Sequence, residues 1–383
     1  MKKMISVLAL VILCACVSYA SKLISVPDGF VYVAGVNSEN CKGDLKDVKL
    51  QGDDDALIVK YDRKREFVKA SSFGEKSAYA NFADVLYSDG YYYAVGGINH
   101  NYSEKLGINY GTDVLIVKYD KDLNPVKSYV WKQKGDEYPE HIIVLKNGNF
   151  AVCGNSYSSN DKTLGMVFVF DSELKILANR FFIGSFSKPN DAPITDFACL
   201  TDNMAGNIVV AGYTSNNDPQ NLSVKACMYE LSSKLDTVRK AAFGGKNNEI
   251  YFKDIMETSA MEYILVGHKS GSVCKGVVME TDMEFKKKSF MEYLPDFAGK
   301  TYFFNSFDTV RPSIIGGYMI TGCLWGNDSF QYYVNYRTAG GFEDLTPFPP
   351  LERLNYTVDD DTAFTVIGYD KENNLVCREN GWG

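Results

Sequence analysis

Three scattered histidines stand in the chain, His100, His141 and His268, a pattern commoner for surface or packed residues than for metal ligands, and His141 opens an apolar strand, which predicts a structural role. Zinc chemistry needs closely spaced His or Cys, and neither HExxH nor CxxC occurs. The GxSxG turn of a serine nucleophile and the GxGxxG phosphate loop are also missing. Gly299-Lys300-Thr301 ends like a phosphate-binding loop, but Leu294 stands where its first Gly is required. Asp53-Asp54-Asp55 and Asp359-Asp360-Asp361 offer the hard oxygens that calcium takes, without the spacing of an ion-wrapping loop. Each run precedes a strand, where turn chemistry favours Asp. Asp84, Asp196 and Asp254 recur at one repeat position, which predicts a structural role as acceptors for turn amides. A glycosidase pair would need an acid and a base across a cleft. With 48 acidic residues, sequence alone selects no pair, so the catalytic residues are unknown. A net charge of -8 argues against a nucleic-acid partner, because phosphate binding needs a basic surface.

The elements that must carry these residues repeat. An aromatic-aliphatic run ending in Gly recurs at Phe30–Gly35, Tyr91–Gly96, Phe150–Gly154, Ile208–Gly212, Tyr263–Gly267, Tyr318–Gly322 and Phe364–Gly368. A second element, Asp55–Asp62, returns almost unchanged at Asp113–Asp120 and more weakly at 165–171, 224–230 and 273–280. A third, Val68–Gly74, is echoed at Val238–Gly244, and a fourth, Phe82–Gly90, at His141–Gly148. Each unit therefore carries four short strands. Leu57-Ile58-Val59 and Leu115-Ile116-Val117 are apolar at consecutive positions, as in a sheet covered on both faces. Four-stranded sheets that cover one another in a ring predict an all-β protein, a β-propeller of four-stranded blades, seven by first count and six as the alternative. Leu23–Val26 and the short final unit predict a ring closed by pairing the two chain ends within one blade. The region 283–312 blurs the pattern and leaves room for an insertion.

The repeat also places the loops. Residues 36–54, 97–112, 155–164, 213–223, 268–272 and 323–329 follow the first-type strand and must leave the ring on one rim. They supply Tyr102, Tyr110, Tyr157, Asn160, Tyr213, Asn217, Trp325 and Asn327. Aromatic faces beside amides suit a sugar or a protein surface. These eight are the candidate ligand-binding residues.

Residues 1–20 read as a signal peptide: basic Lys2 and Lys3, an apolar run from Ile5 to Leu13, and Ser18-Tyr19-Ala20 ahead of cleavage. Residues 21–383 then form a single propeller domain that is exported to the periplasm, the cell surface or the medium. Leu13-Cys14-Ala15-Cys16 resembles a lipobox, which makes Cys16 a candidate lipidation site and a lipid anchor the sole route to a membrane. Seven cysteines follow the signal region, and their strand contexts predict mostly free, buried thiols.

Units of Asp-x-hydrophobic-Ile-Val-Lys-Tyr-Asp, then Phe-Gly, then Asp before an aliphatic strand, then a Tyr-rich strand ending in Gly, resemble the bacterial SBBP-type β-propeller repeats. The resemblance runs through most of 24–370 and is cleanest in 24–245. It implies an exported propeller of mostly uncharacterised kind and specifies no chemistry. Quinoprotein propellers are more distantly similar, but Arg63-Lys64-Arg65 after Asp62 departs from their tryptophan-docking motif, so no cofactor is expected. The expectation is a non-enzymatic propeller that binds a protein or glycan through its loop-rich rim. The alternative is a secreted polysaccharide hydrolase or lyase with carboxylates lining the channel.

Overall fold

The computed structural model describes residues 23–39, 41–100, 111–133, 135–158, 162–184, 194–216, 223–294, 302–312, 318–326, 330–338, 341–347, 353–358, 364–369 and 375–380. The described strands form antiparallel meanders. Meander I holds β1 (Leu23–Val26), β2 (Gly29–Asn37), β3 (Asp54–Asp62) and β4 (Phe67–Phe73). Meander II holds β5 (Tyr79–Ser88), β6 (Tyr91–Asn99), β7 (Asp113–Tyr119) and β8 (Pro125–Trp131). Meander III holds β9 (Asp136–Val144), β10 (Phe150–Ser158), β11 (Lys162–Phe170) and β12 (Ile176–Phe182). Meander IV holds β13 (Ile194–Asp202), β14 (Ile208–Ser215), β15 (Val224–Leu231) and β16 (Thr237–Gly244). Meander V holds β17 (Ile250–Glu257), β18 (Glu262–Lys269), β19 (Lys275–Asp282) and β20 (Lys287–Tyr293). Meander VI holds β21 (Tyr302–Pro312), β22 (Tyr318–Gly326), β23 (Phe330–Thr338) and β24 (Gly341–Pro347). Meander VII has three strands, β25 (Arg353–Val358), β26 (Phe364–Tyr369) and β27 (Leu375–Asn380).

First strands neighbour first strands, in the order β25, β1, β5, β9, β13, β17, β21. The sheets therefore radiate from a common centre, which is the arrangement of a β-propeller. One expectation fails. Among the described residues no sheet mixes the two chain ends: β1 pairs with β2, and β27 pairs with β26. Leu23–Val26 is short, and β2, β3 and β4 complete its sheet without help from the C-terminus. The blurred region 283–312 contributes ordinary strands, β20 and the long β21.

The consecutive apolar runs have a simple cause. In β3, Ala56 and Ile58 pack toward meander II, while Leu57 and Val59 pack on the opposite face with Phe30, Tyr32 and Leu45. In β7, Leu115 and Val117 face meander I, and Val114 and Ile116 face meander III. Side chains alternate along a strand, but both faces are buried, so every position is apolar. Comparable clusters join III to IV, IV to V and V to VI.

The charged residues of the repeat tie each sheet to the next. Lys60 Nζ donates to the Lys121 carbonyl at 3.2 Å, and Lys118 Nζ to the Ser172 carbonyl at 3.0 Å. Further out, Arg180 reaches the Leu235 carbonyl and Arg239 the Met283 carbonyl. The receiving turns share one design. The Oδ1 of Asp62, Asp120, Asp171 and Asp282 accepts two amide hydrogens, from the residues two and four positions on, at 2.8–3.0 Å. Between the donors to Asp120, Asp171 and Asp282 a non-glycine residue takes a left-handed conformation, Leu123, Leu174 and Phe285, as does Leu235 in the turn that Ser232 Oγ holds in the same way, all at φ 55–65°. These side chains are at most 4% exposed, so burial offsets the backbone strain. Leu174→Ala keeps the strain and loses the packing, and should cost about 3 kcal/mol. Leu174→Gly relieves the strain and should be milder by about 1 kcal/mol, the reverse of the usual order. Urea midpoints for the two variants test this; alanine milder than glycine would contradict it.

Candidate functional site

Five inner strands carry a β-bulge at one level. The extra residues are Ala83 on β5, Glu140 on β9, Ala198 on β13, Lys253 on β17 and Asp308 on β21. Opposite them stand Gly96, Gly154, Gly212, Gly267 and Gly322. A Cβ on Gly96, Gly154, Gly212 or Gly267 would lie 1.9–2.0 Å from the carbonyl oxygen of Asn81, Tyr138, Asp196 or Tyr251. The repeated glycine thus accommodates the bulged backbone. It does not end its strand, as the sequence implied. Each strand runs two to four residues further, from β2 to Asn37 through β22 to Gly326.

The bulge divides each inner strand. The half before it leads from the rim. On that rim the loops after the second strands meet the connections that enter the first strands. Thr112 N donates to Asp136 Oδ1 at 2.6 Å, and Glu137 N to the Thr112 carbonyl at 2.7 Å. Ser270 N donates to the Glu249 carbonyl at 2.9 Å, and Asn305 N to the Cys274 carbonyl at 3.0 Å. Asp55 accepts from Gln51 N and Gly52 N, each at 2.8 Å, so this acidic run is turn chemistry. Asp359–Asp361 lie outside the described residues.

Polar side chains gather at the rim end of the inner strands. Glu137 is 1% exposed; its Oε1 accepts from Ser156 Oγ at 3.0 Å, and its Oε2 has no partner. Burial, reinforced by Asp113 and Asp136, pushes its carboxyl up to about 7 against the Ser156 hydrogen bond. Asp196 is half-buried and accepts from Asn155 Nδ2 at 3.1 Å and from Tyr213; burial raises its carboxyl. Asp308 accepts from Ser306 Oγ at 3.0 Å, and burial pushes it up to about 6 although Lys253 opposes this. His268 is 2% exposed and lies flat on Tyr251, with centroids 4.7 Å apart and planes at 13°. Neither ring nitrogen has a partner, and burial followed by Lys253 drops its pKa to about 3, so the ring is neutral at physiological pH. Tyr213 meets Tyr251 edge-on at 4.9 Å. Among the described residues no group of three His, Cys, Asp or Glu is placed to hold a metal.

Glu137 gives a pH signature. Below about 4.5 the carboxyl is protonated in both states. Between about 4.5 and 7 it ionises in the unfolded chain first, so stability falls as pH rises, by on the order of 3 kcal/mol. Glu137→Gln keeps an acceptor for Ser156 and should flatten this loss. Urea unfolding of both proteins at pH 5 and pH 8 checks it, and parallel losses would contradict it.

Of the sequence-derived candidates, Tyr157 is the penultimate residue of β10 and is 45% exposed, while Tyr213 sits on β14 against Tyr251 and Asp196. Trp325 lies on β22 in register with Phe304 and Phe330, its side chain outside the described set. Tyr102, Tyr110, Asn160, Asn217, Asn327 and Cys16 lie outside the described residues. Glu137, Lys253 and Asp308 were not singled out by the sequence, and His268 was read only as a scattered histidine. Their signal is the bulge itself: Lys253 and Asp308 are its extra residues, Glu137 stands three residues before Glu140, and His268 follows the glycine opposite. Cys153, Cys199, Cys227, Cys274 and Cys323 are buried free thiols, as expected.

The other mouth of the centre differs. A cavity of about 350 Å³ is lined there by His141, Lys146, Asp202, Asp254, Glu257 and Arg311, among others. Its charges are tied down. Asp84 Oδ2 accepts from Ile142 N at 2.9 Å and pairs with His141 at 3.0 Å. Asp254 Oδ2 accepts from Val310 N at 2.9 Å and pairs with Arg311. Lys146 Nζ donates to the Asn203 carbonyl at 2.7 Å. Asp84 and Asp254 are therefore structural, but they clasp strand amides of the neighbouring sheet and not turn amides. Asp196 is not their equivalent. It lies before the bulge, and Cys199 occupies the matching place.

No family model matches the chain, and no curated protein does. Solved structures match at the level of fold. The Cps50 (Swd1) β-propeller domain of Myceliophteria thermophila has a TM-score of 0.53 at 8% identity, covering 95% of this chain and 98% of that one. An ulvan lyase, a polysaccharide lyase, has a TM-score of 0.56 at 9% identity, covering 95% and 91%. A Hadza microbial sialidase has a TM-score of 0.52 at 9% identity, covering 88% and 75%. Identities this low establish the β-propeller fold alone.

Proposed function

We propose that the chain is an exported β-propeller of seven blades, of the SBBP-repeat kind, that binds a glycan at the rim-side mouth of its centre without transforming it. Residues 1–20 direct export, and Cys16 is where a lipid would be attached. Ring closure without strand exchange is supported at meander I. The face carrying Phe30, Tyr32, Leu57 and Val59 is buried although meander II covers the opposite one, and β25 lies beside β1.

One observation carries the binding reading. At the rim end, four successive meanders present hydrogen-bonding groups, Glu137, the Asn155–Asp196–Tyr213 set, Lys253 and Asp308, and the rings of Tyr213 and Tyr251 meet there. Aromatic edges with carboxyls and amides suit the mixed surface of a sugar. The cationic groups of the far mouth are already engaged. A glycan array with the mature protein, repeated with Tyr213→Ala, tests the reading; unchanged binding by the variant removes this mouth from it.

The specific observation for a second reading is that two rim-side carboxyls, Glu137 on β9 and Asp308 on β21, are both raised by burial, the direction a general acid needs. A polysaccharide hydrolase or lyase would release new reducing ends or unsaturated products from a glycan that binds. Intact glycan after prolonged incubation excludes it.

A further inference from the structure

Lys253 is the extra residue in the β17 bulge, on an inner strand and partly exposed. Its ammonium acts electrostatically on Asp196 of β13 on one side and on Asp308 of β21 on the other, so it stands in the mouth between the two neighbouring inner strands. It makes no hydrogen bond or ion pair with a described residue. Other repeat cations whose ends can be followed differ: Lys60, Lys118, Arg180 and Arg239 each reach a carbonyl on the next sheet. An ammonium has three donors, and those of Lys253 face a mouth in which a ligand could fill them. A second group beside it is equally unfilled. His268, next to Tyr251 and within electrostatic reach of Lys253, is 2% exposed with both nitrogens bare.

We infer that Lys253 anchors a carboxylate of an acidic glycan, a uronate residue seated in the rim-side mouth. The inference rests on the glycan reading above and names the class of sugar. The flanking carboxyls permit it. Asp196 is occupied by Asn155 and Tyr213, and Asp308 is pushed toward its neutral form by burial. Neither neutralises the lysine through a direct ion pair. The protein as a whole is acidic, so a polyanion would be held by local contact and not by the long-range field. A neutral glycan would leave the ammonium unpaired.

The test is calorimetric titration of the mature protein with hexagalacturonate and with the same oligomer after reduction of its carboxyls. The wild type is expected to bind the acidic oligomer at least tenfold more tightly, with affinity falling as salt rises. Lys253→Gln should lose that advantage, and Lys253→Arg should keep most of it. Because Lys253 holds no partner, the thermal midpoint of Lys253→Gln should match the wild type, which separates a lost contact from a lost fold. Equal binding of the two oligomers by the wild type, or an undiminished preference in Lys253→Gln, would overturn the inference and leave glycan binding standing. Binding of neither oligomer, with no glycan bound on the array, would overturn both.

Discussion

Replacing Gly212 by alanine is expected to lower the stability of the chain by about 3 kcal/mol or more, or to prevent its folding. The added methyl would lie 2.0 Å from the Asp196 carbonyl oxygen, a backbone atom in the middle of a sheet. Flexible side chains can yield to such an intrusion; a bulged backbone held by its ladder cannot. Gly206→Ala is the control. It has nothing within 4 Å of the new methyl, and its φ of +78° costs roughly 1 kcal/mol. Equilibrium unfolding in urea compares the two. Equal losses would mean that the glycine opposite the bulge is conformational and not steric.

Asp254→Ala is the second large effect. The carboxylate is 3% exposed and receives the amides of Ile255 and Val310, each at 2.9 Å, together with Arg311. Its removal strands the buried Val310 N–H on the neighbouring sheet and breaks the ion pair with Arg311, at a cost of about 3 kcal/mol. Asp254→Asn retains an acceptor for Val310 and should recover about half. Asp84→Ala removes the corresponding clasp between meanders II and III, so the two alanine variants should add when combined. Chemical denaturation of the single and double variants decides this; a double variant no worse than either single would show that the clasps do not act independently.

The strands were legible because the repeat writes each one several times and because burial on both faces replaces alternation with runs such as Leu57-Ile58-Val59. The mode of closure was not, since Leu23–Val26 reads equally well as the start of a new sheet or the completion of the last. The offset of Asp196 from Asp84 and Asp254 was hidden by the bulge, whose additional residue shifts the register by one and leaves no mark in composition. The rim was inferred from loop position; Tyr213, one of its candidates, packs against Tyr251 and donates to Asp196. Lys253 escaped notice because attention fell on its neighbour Asp254, whose repeat position marked it as structural, while a lone lysine in a strand carries no signal. Only the pairing shows that Lys253 is bulged into the centre and Asp254 clasps the next sheet. His268 was visible as a residue, but that its nitrogens are bare depends on neighbours from its own sheet and the next, Tyr251 and Phe304.

Amide hydrogen exchange of the mature protein, with and without saturating hexagalacturonate, tests the claim that contact occurs at the rim-side mouth. The account predicts new protection in the first halves of the inner strands, residues 136–139, 194–197, 250–253 and 303–307. Protection confined to their second halves, around 142–146, 200–203 and 255–257, would contradict it.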